Sequence, residues 1–128
     1  MKALFEYLLS KNKKPTDVVR PSEGCSVDDI IKWIESYGIK KYGADALRPG
    51  EVAYDVIRYE SATDPAYKKH SFVRLVSCLS DHKRQSVIIY PYGNETKYRT
   101  VDHEEKFITF EEAITLMEDI LENPKTKL

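Results

Sequence analysis

Residues 71 to 92 constrain the fold more than any other stretch. Phe72, Val73, Leu75, Val76, Cys78 and Leu79 form one run of β-branched and bulky apolar side chains, and Val87, Ile88, Ile89 and Tyr90 form a second. The polar segment Ser80 to Gln85 separates them. Two such runs around a polar tip read as a β-hairpin. The second run lacks polar alternation, so both of its faces are expected to be covered, as in the interior of a sheet. A ribbon that is dry on both sides would leave polar chemistry only at its ends.

Local signals place the other elements around this hairpin. Leu4, Phe5, Leu8 and Leu9 recur at helical spacing, which predicts a short amphipathic helix over residues 2 to 11, stopped by the lysines 11, 13 and 14 and by Pro15. Ser26 with Asp29 three residues on marks a helix start, and Val27, Ile30, Ile31, Ile34 and Tyr37 supply its apolar stripe up to Gly38. Arg48-Pro49-Gly50 has the chemistry of a type II turn. Residues 51 to 59 then read as a strand, and Lys97 to Val101 as a polar edge strand after a turn at Tyr92 to Glu95. Thr109 and Glu112 form a second capping box ahead of the stripe Phe110, Ala113, Ile114, Met117, Ile120 and Leu121, which Asn123-Pro124 ends. The expected architecture is α+β: a four-stranded antiparallel meander with two N-terminal helices and one C-terminal helix, in the order α-α-β-β-β-β-α. It forms a single domain over residues 1–128, with 1–14 as a semi-independent helix and 125–128 as a frayed tail.

At 128 residues the chain is large enough to bury roughly two thirds of its unfolded surface, so it needs neither metal nor disulfide to hold a core. Its 20 basic and 21 acidic residues nearly cancel, which gives no electrostatic footprint for a phosphate backbone. Nucleic acid is therefore not the expected partner. Cys25 and Cys78 have no CxxC spacing, and the N-terminal residues lack both a cleavage site and the length to span a bilayer. A reducing, cytoplasmic setting with free thiols is expected.

In an antiparallel meander, alternate connections fall at the same end of the sheet. The Ser80 to Gln85 tip, the Asp102 to Lys106 segment and the Arg48-Pro49-Gly50 turn should therefore meet, gathering Asp81, His82, Asp102 and His103. Two histidines with carboxylates suit a metal or an acid-base pair, which makes these four the candidates for a small metal-assisted hydrolase. Against that reading, sequence neighbours on a strand point to opposite faces, and charged hairpin tips are ordinarily solvated surface. No glycine-rich phosphate loop and no nucleophile elbow is present, so no cofactor and no resident metal are expected. The basic doublets Lys40-Lys41, Lys68-Lys69 and Lys83-Arg84 keep single-stranded nucleic acid open as a further alternative.

The leading expectation is a non-enzymatic protein-binding module, an accessory or regulatory component that engages an unidentified protein or a second copy of itself. Its candidate contact residues are Leu4, Phe5, Leu8 and Leu9 on the first helix and Tyr54, Tyr90 and Tyr92 on the sheet, in a chain with nine tyrosines. A small, densely charged, tyrosine-rich chain without a catalytic signature is common among bacterial and phage accessory proteins, an association drawn from composition alone.

Overall fold

The computed structural model describes residues 18–41, 47–58 and 70–128. Helix α1 spans Val27–Glu35 and starts as the sequence predicts: the Asp29 amide donates to Ser26 Oγ at 3.2 Å and the Ser26 amide donates to Asp29 Oδ2 at 3.2 Å. After its C-cap at Ser36 the chain turns away through Gly38, whose φ of 81° suits a residue without a Cβ. Helix α2 spans Phe110–Glu122 behind the reciprocal pair Thr109 and Glu112, both bonds being 3.1 Å. These are the two helices among the described residues. The helix expected over residues 2 to 11, and with it the semi-independent segment 1–14, lies outside them.

Between the helices run β1 (Lys40–Lys41), β2 (Val52–Ile57), β3 (Phe72–Ser80), β4 (Lys83–Ile89), β5 (Lys97–Arg99) and β6 (Glu105–Phe107). They form one sheet in sequence order, with β1 parallel to β2 and every other neighbour antiparallel. The sheet is thus a mixed, six-stranded one, which corrects the expected four-stranded antiparallel meander. The two additional strands are short and polar: β1 is two lysines, and β6 carries a single apolar residue, Phe107. Neither offers the alternation by which a strand is recognised. Their addition moves β5 from the expected edge to an inner position.

The ribbon from β2 to β5 has the expected polarity. The Gly50 amide donates to the Cys78 carbonyl at 2.7 Å, Ser80 pairs with Lys83, and Ser86 pairs with Arg99. The turn at 48–50, the hairpin tip and the 100–104 turn therefore share one end. Gly50 has φ +86° and the Glu51 amide donates to the Arg48 carbonyl at 3.0 Å, as a type II turn requires.

Both helices cover one face. Cross-strand partners on that face form the row Tyr54, Leu75, Val87, Tyr98 and Lys106, with Val73 beside Ile89 in the next row. Ile30, Trp33 and Ile34 of α1 and Ile114, Met117 and Ile120 of α2 pack against it, all with no exposed surface. Burying one side chain of this size contributes roughly 1.5–3 kcal/mol, so this layer dominates the stability.

The end of the chain departs from the expected frayed tail. Gln85, on the helix-covered face of β4 and only 1% exposed, donates from its amide nitrogen to Ser77 Oγ at 2.9 Å and to the Thr126 carbonyl. The Leu128 amide in turn donates to Gln85 Oε1 at 2.9 Å. One buried amide thus fastens the last residues to the middle of the sheet, and Leu128 packs against the core. Toward the other end of the described chain, Arg20 fastens residues 18–24 to α2, donating to Glu111 at 2.7 Å, to Thr115 Oγ1 at 3.0 Å and to Glu118 at 3.3 Å.

Candidate functional site

The candidate histidines stand on separate hairpins. His82 closes the β3–β4 tip and His103 the β5–β6 turn, with φ values of 61° and 65°. In the second turn the His103 amide donates to the Thr100 carbonyl at 3.0 Å and the Thr100 amide to the Glu104 carbonyl at 2.9 Å. That is a type I turn followed by a left-handed residue, a hairpin loop whose third position favours residues that tolerate positive φ. Histidine is one of the side chains enriched there, so local backbone geometry accounts for both residues. His82, His103, Asp81 and Asp102 are all exposed, and no group of three or more His, Cys, Asp or Glu side chains among the described residues is placed to hold a metal ion.

The tyrosines divide between layers. Tyr54 is only 4% exposed and donates from its hydroxyl to Glu35 Oε2 at 2.6 Å, so its ring belongs to the core rather than to a contact surface. Burial, reinforced by that carboxylate, pushes the phenol up to about 12. Tyr92 lies exposed in the loop after β4. Tyr90 is half-buried against Phe72, with ring centroids 5.1 Å apart. Leu4, Phe5, Leu8 and Leu9 lie outside the described residues.

The face of the sheet turned away from α1 and α2 holds most of the remaining chemistry. Its cross-strand rows are Ile57 and Phe72; Asp55, Arg74, Ile88, Lys97 and Phe107; Ala53, Val76, Ser86, Arg99 and Glu105; and Cys78 with Arg84. Phe107 is 66% exposed and Ile57 39%. Arg74 grips Asp55 with two parallel bonds of 2.9 and 2.6 Å, the bidentate geometry that a guanidinium favours. Arg99 and Lys97 converge on Glu105, whose carboxyl their hydrogen bonds hold below its ordinary value. Lys97 also stands 5.8 Å above the Phe107 ring. Solvent screens ion pairs as exposed as these, so this face is organised more than it is stabilised by them.

Along those rows the cations Arg74, Arg84, Lys97 and Arg99 face the carboxylates Asp55 and Glu105. Positive charge is therefore in surplus. Arg74, Arg84, Ser86, Arg99 and His103 surround a hollow of about 160 Å³ floored by Val76. The Arg84 Nε–H is shut off from water and finds no acceptor among the described residues. No hydrogen bond or ion pair joins the Arg84 side chain to any other described residue, which sets it apart from Arg74 and Arg99. The Trp33 indole N–H is likewise unpaired among the described residues, but Trp33 lies in the apolar core with no exposed surface.

This cluster corrects the expectation that polar chemistry lies only at the ends of the ribbon, while Val76, Cys78 and Ser86 on the same face are buried, as a middle strand covered on both sides requires. Arg74, Arg84 and Arg99 each alternate with a residue of the helix-covered face, next to Leu75, Gln85 and Tyr98 respectively. Period-two parity was the available signal for each of them, but bringing the three together requires the register of three strands. Compared with protein-family models, curated proteins and solved structures, the chain shows no match.

Proposed function

We propose that the chain is a small, non-enzymatic protein-binding module that works as an accessory component in the cytoplasm and engages its partner through the sheet face opposite the helices. The observation that carries this reading is the side-by-side placement of Phe72, Ile88 and Phe107 with Arg74, Arg84 and Arg99 on one surface. Aromatic and arginine side chains are the types enriched at the energetic centres of protein interfaces. The setting draws support from the thiols: Cys25 and Cys78 are unpaired with each other, and no helix of the described residues is long and apolar enough to cross a membrane.

The test is capture from lysate with the intact chain, with Phe107→Asp and with the helix-side control Thr115→Asp, together with molar mass in solution. Loss of the captured protein, or of a dimer, with Phe107→Asp alone supports the reading. Equal capture by all three places the contact elsewhere. One observation favours a second reading, single-stranded nucleic acid: Arg74 and Arg99 share this face with the Phe72 and Phe107 rings, two positions along their own or the neighbouring strand, the combination that holds phosphates and stacks bases. Nuclease treatment separates the two, because a protein partner survives it.

A further inference from the structure

We infer that the hollow between Arg74, Arg84, Arg99, Ser86 and His103 binds a tetrahedral oxyanion of the phosphate class. The inference rests on the reading of this face as the binding face and names the chemistry that it recognises.

Size comes first. About 160 Å³ is room for one phosphate group, and because the hollow opens to solvent the rest of a larger ligand would lie outside it. The donors come next. Arginine presents its N–H groups in a planar fork that matches phosphate and carboxylate oxygens. Two of the three arginines already hold a carboxylate, Arg74 on Asp55 and Arg99 on Glu105, which fixes their planes. Arg84 is the exception: its side chain lines the hollow and makes no hydrogen bond or ion pair with any described residue. The chain thus supplies planar carboxylates to the flanking guanidiniums and leaves the central one for something else.

The donors also approach from several directions. Arg84 comes from β4, Arg99 from β5, Arg74 from β3, and the Ser86 hydroxyl and His103 ring border the same space. A planar carboxylate satisfies one fork, whereas a tetrahedral group offers oxygens to several donors at once. Free phosphate and a phosphorylated side chain on a partner share this chemistry.

The test titrates the intact chain, at constant ionic strength, with sodium phosphate, sodium acetate, and a short phosphoserine peptide beside its unphosphorylated form, following the arginine Nε–H resonances by nitrogen-15 NMR. The expected result is a saturable shift of the Arg84 Nε–H with phosphate, at least about tenfold weaker with acetate. Arg84→Gln should weaken phosphate binding by about tenfold or more, and Arg84→Lys, which keeps the charge but loses the fork, by several-fold. Arg99→Gln serves as a second variant should Arg84→Gln fail to fold. A phosphopeptide that binds more tightly than phosphate identifies the source as a modified side chain, and equal binding identifies the free ion. Linear shifts that are the same for every salt, or unchanged phosphate binding in both Gln variants, would overturn the inference. If phosphate fails to bind while Phe107→Asp still abolishes partner capture, this inference falls and the protein-binding reading stands; the reverse pattern removes only the latter.

Discussion

Replacing Gln85 by methionine removes the polar atoms from a side chain of similar length at a fully enclosed position. Three hydrogen bonds disappear: those to Ser77 Oγ, to the Thr126 carbonyl and from the Leu128 amide. Each contributes about 0.5–1.5 kcal/mol net, and the hydroxyl of Ser77 is itself fully buried, so its loss of a partner lies at the costly end. The two backbone groups of the tail recover water once it lifts, which lowers the total, while Leu128 then leaves its place against the core. The expected loss is about 2–3 kcal/mol, or a fall of roughly 1–2 M in the urea midpoint for a small protein. Removing residues 126–128 should cost a comparable amount, and the double variant should cost clearly less than the two single losses added, because both act on the same bonds. Urea unfolding of the four proteins, with amide exchange at Leu128, reads this out. A Gln85→Met loss under about 0.5 kcal/mol, or full additivity with the truncation, would refute the fastening role.

Three further outcomes follow from local geometry. Tyr54 has its phenol raised from 10.0 to about 12 in the folded chain, so the neutral form is favoured by folding; the stability it contributes is complete below about pH 10 and is lost as pH rises toward 12, a loss absent in Tyr54→Phe and visible in thermal melts across that range. Burial, with Asp29 nearby, pushes the Cys25 thiol up to about 11, so alkylation of Cys25 at pH 8 should run roughly a hundredfold slower than for a free cysteine and should still be accelerating at pH 10. Thr109→Ala removes the acceptor for the Glu112 amide and should cost about 1 kcal/mol in chemical denaturation, with the loss concentrated in amide protection at the first turn of α2.

Helix starts, turns and the polarity of the ribbon were legible because each depends on residues near one another in sequence. Ser26 with Asp29, Thr109 with Glu112, and Pro49 with Gly50 each act within four positions. The six-stranded width was not legible, since β1 and β6 gain their strand character only from hydrogen bonds to β2 and β5. The binding face escaped for a related reason. Val87, Ile88 and Ile89 look uniformly apolar, yet Ile88 faces Arg74 and Lys97 across the sheet while its neighbours Val87 and Ile89 face the helices. His82 and His103 drew notice as chemistry-bearing types, although the turns that they close use their tolerance of positive φ.

The account depends on a sheet with a helix-covered face and an opposite face open to a ligand. Isoleucine methyl relaxation with a soluble gadolinium chelate measures that division directly. The account predicts strong broadening at Ile57 and clear broadening at Ile88, with Ile30, Ile89, Ile114 and Ile120 unaffected, in line with 39% exposure for Ile57 and none for the last four. Protection of Ile57 and Ile88 equal to that of Ile89 would contradict it.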